Sequence, residues 1–394
     1  MTASRGPLIF LVAGEPSGDA LGGRLMAALK GRTGGTARFA GVGGERMAAG
    51  GLESLYPMRD LAVMGLAEVV PRIPRLLLRL SETVAKARHL RPEAVVTIDA
   101  PSFSSRVGKR LKGEGIPLIH YVAPTVWAYW PWRAAAIARY LDHLLLIYPF
   151  EKPYFDEVGL PSTFIGHPVV ELGADGGDGP AFRARHGIGS DEPLLCVLPG
   201  SRHSEVSRLL PVFDQTFRIL ANPFPGLRAV VPTLPPVAER VAAAAAHWPL
   251  PVTVVTGPEE KYDAFAASWA ALAASGSVHL ELASAGVPML ITYKTSPLTA
   301  WLARRMLLIP YICVVNVMAG RAVIPEALQE ACRPEALAEA VGTLLADGSA
   351  RAGQTAETRR VVRELGLGGP APSERAADVI LKVIAEGPRR RRER

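Results

Sequence analysis

The chain has 394 residues, 49% of them apolar and 21% charged, with a formal net charge of +7. That length exceeds what one hydrophobic core usually supports, so two domains are expected, with enough apolar residues to fill both. Three scattered cysteines, Cys196, Cys313 and Cys332, lack CxxC or Cys/His spacing, which favours a reducing compartment and offers no metal site.

The first apolar run, residues 8–13, ends at once in Gly14 and Glu15, so it reads as a buried strand and not as a secretory signal. Further short runs follow at 38–42, 94–98, 118–122, 143–147 and 162–165, with helical periodicity between them. Residues 172–180, LGADGGDGP, have linker composition. The rhythm then restarts at 194–198, 227–231, 252–255, 271–274 and 289–292. Strands alternating with helices twice over predict an α/β protein of two doubly wound, Rossmann-like domains. Ligands of such sheets sit beyond the carboxyl ends of the strands, so the site is expected in a cleft between two facing domains. The expected division is 1–168, 169–355 and a C-terminal segment 356–394 of helices and basic tail that packs back on the first domain. No apolar run reaches membrane-spanning length.

No G-x-G-x-x-G and no G-x-x-x-x-G-K-[ST] is present, so dinucleotide and P-loop readings lose their main support. The first strand instead runs into Gly14, Ser17 and Gly18, a turn that either presents helix amides to an anion or sugar, or is a tight connection with Ser17 as cap. In LPGSRHSEV, Arg202 follows a strand end and has the planar fork that suits phosphate oxygens, although Glu205 three residues on could simply neutralise it. In SGSVHLE, Ser275, Gly276 and Ser277 open a helix and can take a phosphate. Glu281 lies one turn further, about 5.4 Å along, where a carboxylate can accept both hydroxyls of a ribose. Asp99, at the carboxyl end of a strand in IDAPSF, suits a general base, with helix capping as the alternative.

The segment 119–133 is dense in aromatics. Trp127, Tyr129, Trp130 and Trp132 are candidates for sugar stacking or a lipid interface, with at least two of the four expected to be plain packing, and His120 is expected to be a core histidine. Residues 69–80 set Arg72, Arg75 and Arg79 beside Ile73 and Leu76, the pattern of a helix in a membrane interface or of one packed with its arginines in water. The tail GPRRRRER could add attraction of ~1 kcal/mol per arginine to anionic lipid. Basic residues set among apolar ones favour an anionic membrane surface over nucleic acid, for which no recognition motif is present.

Taken in order, AGEPSGD, GVGGERM, LAVMGLAEVV, IDAPSF, HYVAPTVWA, FEKPYF, FIGHP, LPGSRHSEV, SGSVHLE and NVMAGRAVIPE span nearly the whole chain and resemble the lipid-A-disaccharide synthase family. The resemblance implies a GT-B glycosyltransferase that joins UDP-2,3-diacylglucosamine to 2,3-diacylglucosamine 1-phosphate. The reaction would form a β-1,6 linkage with inversion, release UDP, and need no metal or cofactor. It implies a cytoplasmic protein held peripherally at the inner membrane; a homodimer fits the family, and no residue pattern here demands one. Asp99 matches the family's proposed base, Arg202 its diphosphate-binding arginine, and Ser275, Gly276 and Glu281 its nucleotide-binding turn and helix. Asn316, Gly320 and Arg321 match its N-x-x-A-G-R loop, and Ser17 the polar residue of its first glycine turn. The chain departs from the family at Ser102, where a second Asp is common, at Val314-Val315, where Leu-Pro is common, and at Ser277-Val278-His279 in place of Thr-Ala-Ala.

Overall fold

The computed structural model describes the backbone of residues 6–61 and 66–388, with side chains described throughout except at 66–71, 258 and 259. Residues 62–65 of the LAVMGLAEVV motif and the arginine tail 389–394 lie outside the described residues. The chain divides into two compact units, residues 1–168 with 368–394, and residues 169–367.

The first unit is built on a parallel sheet of β1 (Leu8–Ala13), β2 (Arg38–Val42), β3 (Ala94–Ile98), β4 (Leu118–Tyr121), β5 (His143–Leu146) and β6 (Ser162–Phe164), in the order β2-β1-β3-β4-β5-β6. Its strands are apolar runs because both faces are covered, as parallel sheets require. The period of two divides β1 between two cores. Phe10 and Val12 join Val95, Phe103, Val107 and Leu144 on one side, while Ile9 and Leu11 join Leu25, Val96 and Ile98 on the other. The helices are α1 (Pro16–Arg32), α2 (Glu45–Ala49), α3 (Leu66–Leu90), α4 (Pro101–Leu111), α5 (Arg133–Ala138) and α6 (Lys152–Asp156). Proline opens α1 and α4 at a position where its missing N–H costs nothing.

The second unit has β7 (Leu194–Leu198), β8 (Arg228–Pro232), β9 (Val252–Val255), β10 (Ala270–Ala274), β11 (Met289–Tyr293) and β12 (Glu326–Leu328), all parallel, in the order β12-β11-β10-β7-β8-β9. Its helices are α7 (Gly179–Arg185), α8 (His203–Ala221), α9 (Pro235–Ala245), α10 (Pro258–Ala267), α11 (Val278–Ser284), α12 (Pro297–Met306), α13 (Val314–Ala319), α14 (Pro334–Ala346) and α15 (Gly348–Glu364). Residues 356–367, expected in the C-terminal segment, belong to α15 and the turn after it. The chain then returns to the first unit as α16 (Pro372–Glu386), which buries Ala376, Ala377 and Ile380 in the core beside α1. Arg32 of α1 clamps Asp378 at 2.7 Å and Glu374 at 3.4 Å.

Both sheets reverse their winding at one point, between β1 and β3 in the first unit and between β7 and β10 in the second. At such a point the connecting helices leave on opposite faces and open a crevice beyond the carboxyl ends of the two strands. Every apolar run singled out in the sequence is a strand. The exception in the other direction is β12, whose three residues carry no apolar run of their own and pair with β11 through Ala327 opposite Thr292. No helix among the described residues is long and apolar enough to cross a membrane.

Candidate active site

The crevice of the first unit holds the glycine turn and Asp99. Asp99 follows β3 with φ +52° and Ala100 follows it with φ +45°. Two successive non-glycine residues in the left-handed region cost roughly 1–3 kcal/mol each, strain that recurs at functional sites. The kink is held by the Asp99 N–H donating to Tyr121 O at 2.9 Å and by the Ser104 hydroxyl donating to Asp99 O at 2.7 Å. Its effect is to turn the half-buried Asp99 side chain toward α1, where Ser17 Oγ donates to Oδ2 at 3.3 Å. Helix capping is not its duty, since Ala100 is the N-cap of α4 and no side chain caps it. Nor does Ser17 cap α1, whose N-cap is Glu15. Gly14 and Gly18 are needed for closeness: a Cβ at Gly14 would stand 2.9 Å from Ala100 Cβ, and one at Gly18 3.3 Å from Ile98 O.

In the second unit the crevice is a cavity of about 580 Å³. The ends of β7 and β10 supply Gly200, Ser201 and the Ser275-Gly276-Ser277 turn, and α11 supplies Glu281. Gly200 adopts φ +114°, and a Cβ there would lie 2.9 Å from Glu205 Oε2. Only glycine lets the chain turn so tightly into α8, whose N-terminus carries the positive end of a 19-residue helix dipole beside the cavity. Glu281 is buried. Lys261 Nζ donates to its Oε2 at 2.6 Å and Tyr262 OH donates to the same oxygen at 3.0 Å, while no hydrogen bond among the described residues falls on Oε1. One carboxylate oxygen is thus fixed, and the other carries no bond among the described residues. Thr233 also lines the cavity, its buried hydroxyl without a partner among the described residues.

Arg202 follows the lining residue Ser201 without lining the cavity itself; its side chain is 58% exposed, and its Nη1 donates to Glu205 Oε1 at 2.8 Å. The neutralising contact read from the spacing is therefore formed, and on a side chain exposed enough to leave it. The Asn316 loop is held by contacts of its own. Asn316 is fully buried, donating to Ile324 O and Glu326 Oε1 and accepting from the N–H groups of Val323 and Ile324. With both ends of its amide engaged it shapes the loop, and Gly320, at φ +65°, ends α13. Arg321 pairs with Glu357 at 3.0 Å and lines a separate cavity of about 350 Å³. None of the three borders the crevice that holds Glu281.

The other residues singled out in the sequence separate in the same way. His120 is a core histidine: its Nδ1 meets Thr97 Oγ1 at 2.7 Å, and burial pushes its pKa down to about 4. Trp127 is packing, edge-on to Phe150 at 5.0 Å, with its indole N–H on the buried Glu151; Tyr129 and Trp130 are half-buried and Trp132 is exposed. On α3, Arg72, Ile73 and Arg75 are exposed and Leu76 half-buried, with Leu77 and Leu78 exposed beside them. Arg79 corrects the sequence reading. It turns inward, bonding Asp60 and Glu82 and covering the Tyr56 ring at 4.6 Å, because Asp60 is a buried acid that needs a cation. Lys261 and Tyr262 are the residues that sequence reasoning missed. They reach Glu281 from α10, about 20 positions away, and nothing in GPEEKYDAF marks them.

Comparisons with known proteins bear on the family and the fold. Residues 9–378 match the model of the lipid-A-disaccharide synthetase family. The lipid-A-disaccharide synthase of Rhodospirillum centenum is 56% identical over 96% of this chain and 95% of that protein. That of Paramagnetospirillum magneticum is 53% identical over 98% and 99%. Among solved structures, the glycotransferase of kitacinnamycin aligns with TM-score 0.64 at 18% identity, over 96% of this chain and 99% of that one. MurG of Acinetobacter baumannii aligns with TM-score 0.60 at 15% identity, over 96% and 100%. At such identities these two attest the fold alone, which is GT-B. By its family match and its relatives, the chain belongs to the lipid-A-disaccharide synthase family.

Proposed function

We propose that this enzyme transfers the diacylglucosaminyl group of UDP-2,3-diacylglucosamine to the 6-hydroxyl of 2,3-diacylglucosamine 1-phosphate, giving the β-1,6-linked disaccharide and UDP. The observation that carries the reading is the pair of switch-point crevices, one presenting Asp99 and the other a nucleotide-sized cavity with Glu281 at its wall. In the second unit, Glu281 Oε1 accepts the ribose hydroxyls. The Ser275 to Ser277 turn and the N-terminus of α8 receive the diphosphate. Arg202 leaves Glu205 for the phosphate oxygens and offsets the charge that grows on the leaving UDP.

In the first unit, Asp99 takes the proton of the acceptor hydroxyl as its oxygen bonds to the anomeric carbon from the face opposite the departing phosphate. The electron pair of the broken bond leaves with UDP, and the configuration inverts. General base help of this kind is worth about 10²–10⁴ in rate. Ser17, donating to Asp99, holds the carboxylate toward its substrate. The exposed Ile73, Leu77 and Leu78 of α3, with Arg72 and Arg75, rest on the anionic inner-membrane surface from which both acylated sugars come.

The test is an assay with both acylated substrates, following UDP release and the mass of the product. Disaccharide and UDP are expected in equal amounts, with the donor intact when the acceptor is omitted. Epimerised or hydrolysed donor in the absence of acceptor would defeat the reading.

A further inference from the structure

Helix α12 is built inside out. Its inward face is made of small residues, Ala300 buried and Ala303 half-buried, while Leu298, Trp301 and Leu302 are 75%, 51% and 50% exposed. Leu308, just beyond the helix, is 61% exposed. Leu298, Trp301, Leu302 and Arg305 follow the i, i+3, i+4, i+7 spacing that sets side chains on one helical face. On a soluble helix that stripe would face the core. Here it faces outward, and a contiguous exposed apolar patch of this kind marks an interaction surface.

The chemistry around the stripe identifies its occupant. Arg305 lies over the Trp301 ring, 4.1 Å from guanidinium carbon to ring centroid, and Arg304 on the next position pairs with Glu330. Tryptophan beside long cationic side chains, whose stems lie on apolar surface while their heads reach outward, is the composition of a segment at the boundary between acyl chains and headgroups. Arg305 makes no ion pair among the described residues and, with Arg304 beside it, sets positive charge along the stripe, which favours an acidic lipid surface. Position agrees. β11 lies beside β10 with Thr292 opposite Ala274, so α12 starts from the same carboxyl edge of the sheet that opens into the Glu281 cavity.

We propose that the outward face of α12 is a lipid-contact surface of the second unit, lying in the headgroup region of an anionic bilayer. The stripe belongs to the nucleotide-binding unit and is separate from the exposed residues of α3. Its lipid chemistry rests on the proposed substrates, and its test reads vesicle contact apart from catalysis.

The experiment places an environment-sensitive fluorophore at Leu298→Cys, the native cysteines being buried, with Glu339→Cys on α14 as the control position. Vesicles of phosphatidylethanolamine and phosphatidylglycerol, with and without a quencher on the acyl chains, are added to the full-length protein. The Leu298 probe is expected to shift to the blue and be quenched, and the Glu339 probe to stay unchanged. The variant Leu298→Ser/Trp301→Ser/Leu302→Ser is expected to partition at least ~10-fold more weakly, the scale of withdrawing three large side chains from an apolar phase. Its turnover on detergent-dispersed substrates is expected to stay at the wild-type level. Binding to vesicles with the Leu298 probe unquenched would overturn the proposal, as would no vesicle binding at all. A probe shift that tracks protein concentration without lipid, with a doubling of mass, would assign the face to a second copy of the chain instead.

Discussion

Lys261 and Tyr262 converge on one oxygen of Glu281, at 2.6 and 3.0 Å, and leave its other oxygen to the cavity. A carboxylate that is free to rotate would meet a ribose diol only part of the time; one that is pinned through Oε2 presents Oε1 in a constant direction. Lys261→Met is therefore expected to weaken UDP binding roughly 10-fold, the scale of one hydrogen bond to a charged group. It should also shrink the preference for UDP over 2′-deoxy-UDP, while Lys261→Arg preserves both. Titration calorimetry with the two nucleotides checks this, and an unchanged preference would show that Lys261 is only a structural partner.

Gly14 faces Ala100 across a gap that leaves no room for a methyl group. Gly14→Ala should push the β3 to α4 turn and carry Asp99 away from Ser17. A misplacement near 1 Å costs on the order of 10²-fold in turnover. Turnover is expected to fall by that order while the thermal midpoint falls only a few degrees, about 1–2 kcal/mol for a chain of this size. A loss of stability that fully accounts for the loss of activity would contradict the positional argument.

Glu151 gives the first unit a pH dependence. It is buried and accepts from the Trp127 indole at 3.2 Å and the Tyr148 N–H at 3.1 Å. Burial outweighs these bonds and pushes its pKa up to about 8 from an ordinary 4.5. The folded state therefore holds a proton that the unfolded chain releases above about pH 4.5. The stability this contributes is complete below that value, declines as pH rises toward 8, and is gone above it. Thermal melts between pH 5 and 8.5 should show the decline in the wild type and its absence in Glu151→Gln. A parallel slope in both proteins would remove Glu151 as the cause.

On α3, Ile73→Ser/Leu77→Ser/Leu78→Ser is expected to lower partition onto anionic vesicles at least ~10-fold, by the loss of apolar side chains. Arg79→Ala is expected instead to lower the thermal midpoint, because it leaves the buried Asp60 only the longer contact at 3.5 Å from the exposed Arg75 among the described residues. Co-sedimentation and melting of the two variants separate the roles, and the reverse pattern would overturn the assignment.

The strands were legible because both faces of a parallel sheet are buried, so Leu194 to Leu198 is apolar at every position and Ala94 to Ile98 at every position but Thr97. Glycine turns at strand ends were legible too, and they place Asp99, Ser275 and Glu281 at the carboxyl edges of their sheets. What sequence could not show was tertiary choice among charged partners. Nothing local tells Arg79 to meet Asp60, Arg321 to meet Glu357, or Lys261 to meet Glu281. Asn316 shows the same limit. A loop asparagine offers the same four hydrogen-bonding sites to a ligand or to its own backbone, and only the fold shows that Ile324 and Val323 take them.

The central claim is that Asp99 removes the acceptor proton while the other unit holds the donor. The most direct measurement compares Asp99→Asn with the wild type in turnover of both acylated substrates and in affinity for UDP. The account predicts at least ~10²-fold slower turnover with UDP affinity unchanged. Turnover near the wild-type rate in a folded Asp99→Asn protein would contradict it.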